Sequence, residues 1–87
     1  MNDYLILICR SITHAQRMAA VLRRAGISQW IFRIPAGLLE SGCGYAVKIR
    51  ARDLLRAQQA MRRWNMPKVR IMQKVDGEYH EVFYDLS

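Results

Sequence analysis

The spacing of apolar and polar positions changes several times along the chain, and each change marks an element. Residues 4–9, Tyr4 to Cys9, form a continuous apolar run, as a central strand does when at least one of its faces is covered. The spacing then becomes helical. Ala15, Met18, Ala19, Leu22 and Ala25 recur at three and four residues, Thr13 with Gln16 reads as a capping box, and Gly26 stops the helix. Residues 27–34 are rich in β-branched and aromatic side chains and end at Pro35, which predicts a second strand. Gly37, Gly42 and Gly44 make residues 35–44 read as an irregular loop. Residues 44–50 alternate, with Tyr45, Val47 and Ile49 on one face and Ala46, Lys48 and Arg50 on the other, the pattern of a half-buried strand. A second helix is predicted over residues 52–64, with Leu54, Ala57, Met61 and Trp64 as its apolar stripe and Pro67 just past its end. Residues 69–75 and 78–85 flank Asp76-Gly77, a strong signal for a two-residue hairpin turn.

This order, β-α-β-β-α-β with an additional C-terminal strand, fits an α+β fold. The expected form is a ferredoxin-like sandwich, an antiparallel sheet with two helices on one face, built from residues 1–87 as a single domain. In that topology the third strand lies between the first and second and runs antiparallel to both. Its start therefore lies beside the end of the first strand and near the start of the first helix, bringing Cys43 toward Cys9, Arg10, Ser11, Thr13 and His14.

Composition narrows the functional classes. A chain of 87 residues, 52% hydrophobic and 24% charged, holds one small core, which excludes a disordered tail or an elaborate catalytic scaffold. Cys9 and Cys43 lack zinc-type spacing and His14 and His80 complete no ligand set, so neither a metal nor another cofactor is expected. The apolar run follows Met1-Asn2-Asp3 without a basic segment and is too short to span a bilayer. The expected setting is cytoplasmic, with no membrane partner, where a Cys9–Cys43 disulfide would be transient.

Among nucleophiles, Cys43 has the most suggestive surroundings. A helix start and a nearby cation stabilise a thiolate, lowering the thiol pKa from about 8.5, and Gly42 and Gly44 remove side chains that would crowd the sulfur. The alternative is that Cys43 is a small loop or core residue and the glycines only shape the chain. Cys9 reads as a buried small hydrophobe, with a resolving-thiol role as the alternative. His14 reads as a residue of the first helical turn rather than a general base, and Ser11 and Thr13 as helix-start residues. No paired carboxylates, phosphate-loop glycines or Ser/His/Asp arrangement is present.

The segment Ser11-Ile12-Thr13-His14-Ala15 after an apolar strand, then Ile34-Pro35, then Ser41-Gly42-Cys43-Gly44-Tyr45-Ala46 resembles the small bacterial Se/S carrier protein-like domains. The likeness runs over about residues 4–70, and its most specific part is the Cys-Gly pair at the start of the third strand. The resemblance implies that Cys43 carries sulfur or selenium as a persulfide or selenosulfide. Such a protein is a shuttle between a donor protein and an acceptor protein rather than a turnover enzyme. In that reading Gly42 and Gly44 give access, Ser11, Thr13 and His14 at the helix start stabilise the anion, and Arg10 adds positive potential.

Charge supplies a second reading. The 14 bases and three acids, Asp3, Glu40 and Asp53, fall in residues 1–75, giving +11; Asp76, Glu78, Glu81 and Asp85 give −4 beyond them, hence +7. Arg33, Lys48, Arg50, Arg70 and Lys74 are expected on the open sheet face, which makes a nucleic-acid- or protein-binding module the alternative function. Stacking aromatics are not expected there, since Tyr45 points inward and no RNP-type pattern occurs. Solvated helix faces and pairing with the acidic last strand are the commoner explanation of such charge. A homodimer formed through the open sheet is a third reading.

Overall fold

The computed structural model describes residues 3–34 and 44–82 of the chain. In chain order the elements are β1 (Tyr4–Cys9), α1 (Ile12–Arg24), β2 (Trp30–Arg33), β3 (Tyr45–Arg50), a 3-10 turn (Ala51–Asp53), α2 (Leu54–Arg63), β4 (Ile71–Val75) and β5 (Glu78–Val82). The architecture is α+β. One five-stranded sheet has the order β2-β3-β1-β4-β5, and every neighbouring pair is antiparallel. β3 does lie between β1 and β2. Gly42, Cys43 and most of the expected 35–44 loop lie outside the described residues, as do the last three residues of the strand expected over 78–85.

Both helices pack on one face of the sheet, because the alternation of β1 and β3 gives that face its apolar set. Leu5, Leu7 and Cys9 of β1 and Val47 and Ile49 of β3 meet Ala15, Met18 and Leu22 of α1 and Leu54, Ala57 and Met61 of α2 in one buried cluster. Leu7, Met18, Leu22, Val47 and Ile49 are completely enclosed. The other face is half covered at most. Ile6, Ile34 and Ala46 form a small cluster there, flanked by Ile8, Phe32, Met72 and Tyr79.

The helix ends are set by local hydrogen bonding. Ser11, not Thr13, caps α1: its backbone is extended and its Oγ accepts the His14 N–H at 3.1 Å. A Ser at this position satisfies one of the donors that a helix start leaves without an intrahelical acceptor. At the other end Gly26, with φ of 76°, donates to the Arg23 carbonyl while Ile27 donates to Leu22. This Schellman pairing also seats Ile27 in the core. α2 ends the same way with Asn65 at φ 54°, where Asn65 donates to Arg62 and Met66 to Met61. The predicted stripe of α2 breaks at Trp64, which caps the helix and is 45% exposed. Between β4 and β5, Asp76 and Gly77 both have positive φ, as a type I′ hairpin turn requires.

Candidate functional site

Two regions carry polar chemistry: the junction of β1, α1 and β3, and the open face of the sheet. At the junction, Cys9 pairs with Tyr45, so the start of β3 lies beside the end of β1 as the topology demands. Gly44 is buried there, and its carbonyl accepts the Ile34 N–H at 3.0 Å. Arg10 and Ser11, in the link from β1 into α1, and Thr13, in the first turn of α1, are exposed. The first turn of α1 contains no acidic side chain, and the Ile12 and Thr13 N–H groups have no acceptor within the helix. No acidic side chain of that turn therefore offsets the positive potential of the helix start.

His14 is held in a defined state. Its Nδ1 accepts the Arg10 backbone N–H at 3.3 Å, which leaves the proton of the neutral ring on Nε2. Burial, then the charges of Arg10 and Arg17, hold the imidazole below its ordinary pKa, favouring that neutral form. Nε2 is buried and has no hydrogen-bond partner among the described residues. Cys9 has a different character. It is 1% exposed, its thiol lies 3.8 Å from the Leu7 carbonyl, and burial pushes its pKa up to about 11. At neutral pH it is a thiol packed in the core, so a resolving role would require it to leave that core and lose its proton.

The strand registers sort the basic residues. Lys48 stands opposite Ile6 and Trp30, and Arg50 opposite Tyr4, all on the open face. Lys74 stands opposite Tyr79 there, and Arg70 donates from Nη2 and Nε to Glu81 Oε1 at 2.9 and 3.2 Å. Arg33 does not join them. It pairs with Tyr45, and the two-residue alternation turns it to the helix side.

The same registers overturn the expectation that stacking aromatics are missing from this face. Tyr4, Trp30, Phe32 and Tyr79 all lie on it, and cations sit over three of the rings. Lys48 Nζ is 4.7 Å from the Tyr4 ring centroid and 5.5 Å from that of Trp30; the Arg50 guanidinium is 5.8 Å from Trp30, and Lys74 Nζ 5.7 Å from Tyr79. Tyr4 and Trp30 meet edge to face at 5.9 Å. β1 is apolar throughout, so its composition alone could not say which way Tyr4 points. Only its pairing with Arg50 does.

A third feature is a pocket of about 270 Å³ between the C-terminal end of α1 and the length of α2, lined by Arg24, Arg56, Arg63 and Trp64 among others. Two of its guanidinium groups are engaged. Arg24 lies 4.8 Å from the Trp64 ring centroid, and Arg56 bonds Asp53 at 3.3 Å and the Ala25 carbonyl at 2.8 Å. Among the described residues no helix is long and apolar enough to cross a membrane.

A family model described as Putative Se/S carrier protein-like matches residues 4–73. No curated protein and no solved structure matches the chain.

Proposed function

Since the chain belongs to the Putative Se/S carrier protein-like family, we propose that it carries sulfur or selenium on Cys43 between a donor protein and an acceptor protein. The observation that carries this reading is the family match, whose span includes Cys43. Beside the start of β3, the Ile12 and Thr13 N–H groups, the His14 Nε2–H without a partner among the described residues, and the Arg10 charge are donors and positive potential suited to a thiolate. Gly44 leads into β3 of the antiparallel sheet beside that helix start, and the sequence sets a glycine on each side of Cys43.

In the transfer step the Cys43 thiolate attacks the outer sulfur of a donor persulfide. A new S–S bond forms as the donor's S–S bond breaks, and the donor cysteine leaves as a thiolate, so no external oxidant is consumed. Release to an acceptor thiolate is the same exchange in reverse. A selenosulfide forms and leaves by the matching S–Se exchange.

The test is mass spectrometry of the protein purified from its native cells without reductant, and again after incubation with a small-molecule persulfide. The expected result is one added sulfur or selenium on the Cys43 peptide, removed by a thiol reductant and absent from Cys43→Ser. The alkylation pKa of Cys43 should fall below the free-cysteine value of about 8.5. An unmodified Cys43 after exposure to the persulfide would overturn the carrier reading.

A further inference from the structure

The open face of the sheet is a chemical feature that the carrier reading leaves unused. Its β2-β3-β1 half combines an exposed indole with two cations. Trp30 is 42% exposed, and Lys48 and Arg50 lie 5.5 and 5.8 Å from its ring centroid. Tyr4 supports the indole edge to face and shares Lys48 with it. No acidic side chain of β1, β2 or β3 points to this face, and the chain as a whole carries +7.

We propose that this face binds single-stranded nucleic acid, with Trp30 stacking on a base and Lys48 and Arg50 neutralising the adjoining phosphates. A flat aromatic ring between cations suits a chain that offers flat rings between anions, and base stacking on such a ring is tolerant of sequence. A duplex is a poorer match because its bases are already stacked on one another and hide their faces from Trp30. A second copy of this chain is poorer still. A two-fold contact through this face would bring Lys48 and Arg50 of each copy against those of the other. An acidic polypeptide would satisfy the charge but would give the indole no flat partner.

Fluorescence anisotropy tests this with labelled oligouridylate and oligodeoxythymidylate of about 12 nucleotides, a typical site length for stacking platforms. A duplex of equal length and polyglutamate of equal charge are the competitors. Both single strands should bind, since neither the ring nor the cations read the sugar. Their affinity should fall with salt at a log–log slope of about −0.7 for each phosphate neutralised. Trp30→Ala should weaken binding about tenfold with the slope unchanged, and Trp30→Phe should restore most of the loss. Lys48→Ala should instead flatten the slope by about 0.7.

Trp30 is an exposed edge-strand residue, so circular dichroism should show Trp30→Ala folded, and Trp30→Phe gives a second reading that keeps the ring. Cys43→Ser should bind as the parent does, which separates this surface from the carrier chemistry. Three results would each overturn the proposal: no binding of single strands at low salt, binding indifferent to Trp30→Ala, or duplex or polyglutamate bound as tightly as the single strands.

Discussion

At the scale of single residues, His14 shows how burial and neighbouring charge select a protonation state. In the unfolded chain its imidazole titrates near its ordinary value of about 6.5, whereas in the fold burial, Arg10 and Arg17 hold it lower. As pH falls the unfolded chain therefore binds the proton first, and stability declines from about pH 6.5 downward until the folded value is passed. Above that window the ring is neutral in both states and contributes nothing to pH dependence. Urea unfolding at about pH 7.5 and at about pH 5.5 should show a loss for the parent that is smaller in His14→Gln. An equal loss in both proteins would remove His14 as its source. Cys9 sits at the opposite extreme. Burial pushes its thiol up to about 11, so it stays protonated throughout this range and belongs to packing rather than to the pH response.

At the scale of elements, the two helices end in the same hydrogen-bonded pattern built on different residues, Gly26 for α1 and Asn65 for α2. A β-carbon at Gly26 would meet only Arg56 Nη2 at 3.5 Å, an ordinary contact. The penalty of Gly26→Ala is then conformational. Thermal or urea unfolding should show about 1–2 kcal/mol lost, from placing a side chain in the left-handed region. A change near zero would mean that the Schellman end had rearranged.

These ends also show what the sequence could reveal. Gly26 and Asp76-Gly77 announce their geometry because left-handed backbone favours such residues, while Asn65, between Trp64 and Met66, carries a weaker signal than a glycine would. β3 alternates, so its two faces could be read directly. β1 is apolar along its whole length and β2 is rich in large apolar residues, and there register decides orientation. For that reason the helix-side core and the order of elements were legible, whereas the aromatic face was not. Arg33 was misplaced for a related reason: its side depends on the pairing Arg33↔Tyr45, which lies beyond the reach of local pattern. At the start of α1 the helix is legible as a place, but the pattern sets its cap two residues too late, since Ser11 and Thr13 are both good capping residues and only backbone geometry separates them.

At the scale of the whole molecule, charge is distributed rather than merely in excess. The described acids of the C-terminal hairpin lie at the β5 end of the sheet, and one of them, Glu81, holds Arg70 on the open face. The β2-β3-β1 half, by contrast, keeps Lys48 and Arg50 over aromatic rings, and its strands contribute no carboxylate among the described residues. Positive potential on that face is thus graded along the sheet, strongest around Trp30 and partly cancelled toward β5. Both members of the Arg70–Glu81 pair are solvent-accessible, so its contribution to stability is small, within about 1 kcal/mol. Its effect on a bound polyanion should be larger. Glu81→Gln frees Arg70 to meet a phosphate and should tighten oligonucleotide binding, steepening the salt slope by up to about 0.7 while unfolding free energy changes by less than about 1 kcal/mol. Anisotropy titrations at several salt concentrations, paired with urea unfolding, measure both. A steeper slope would extend the binding surface across β4 to β5, and an unchanged slope would confine it to the half of the sheet that carries Trp30.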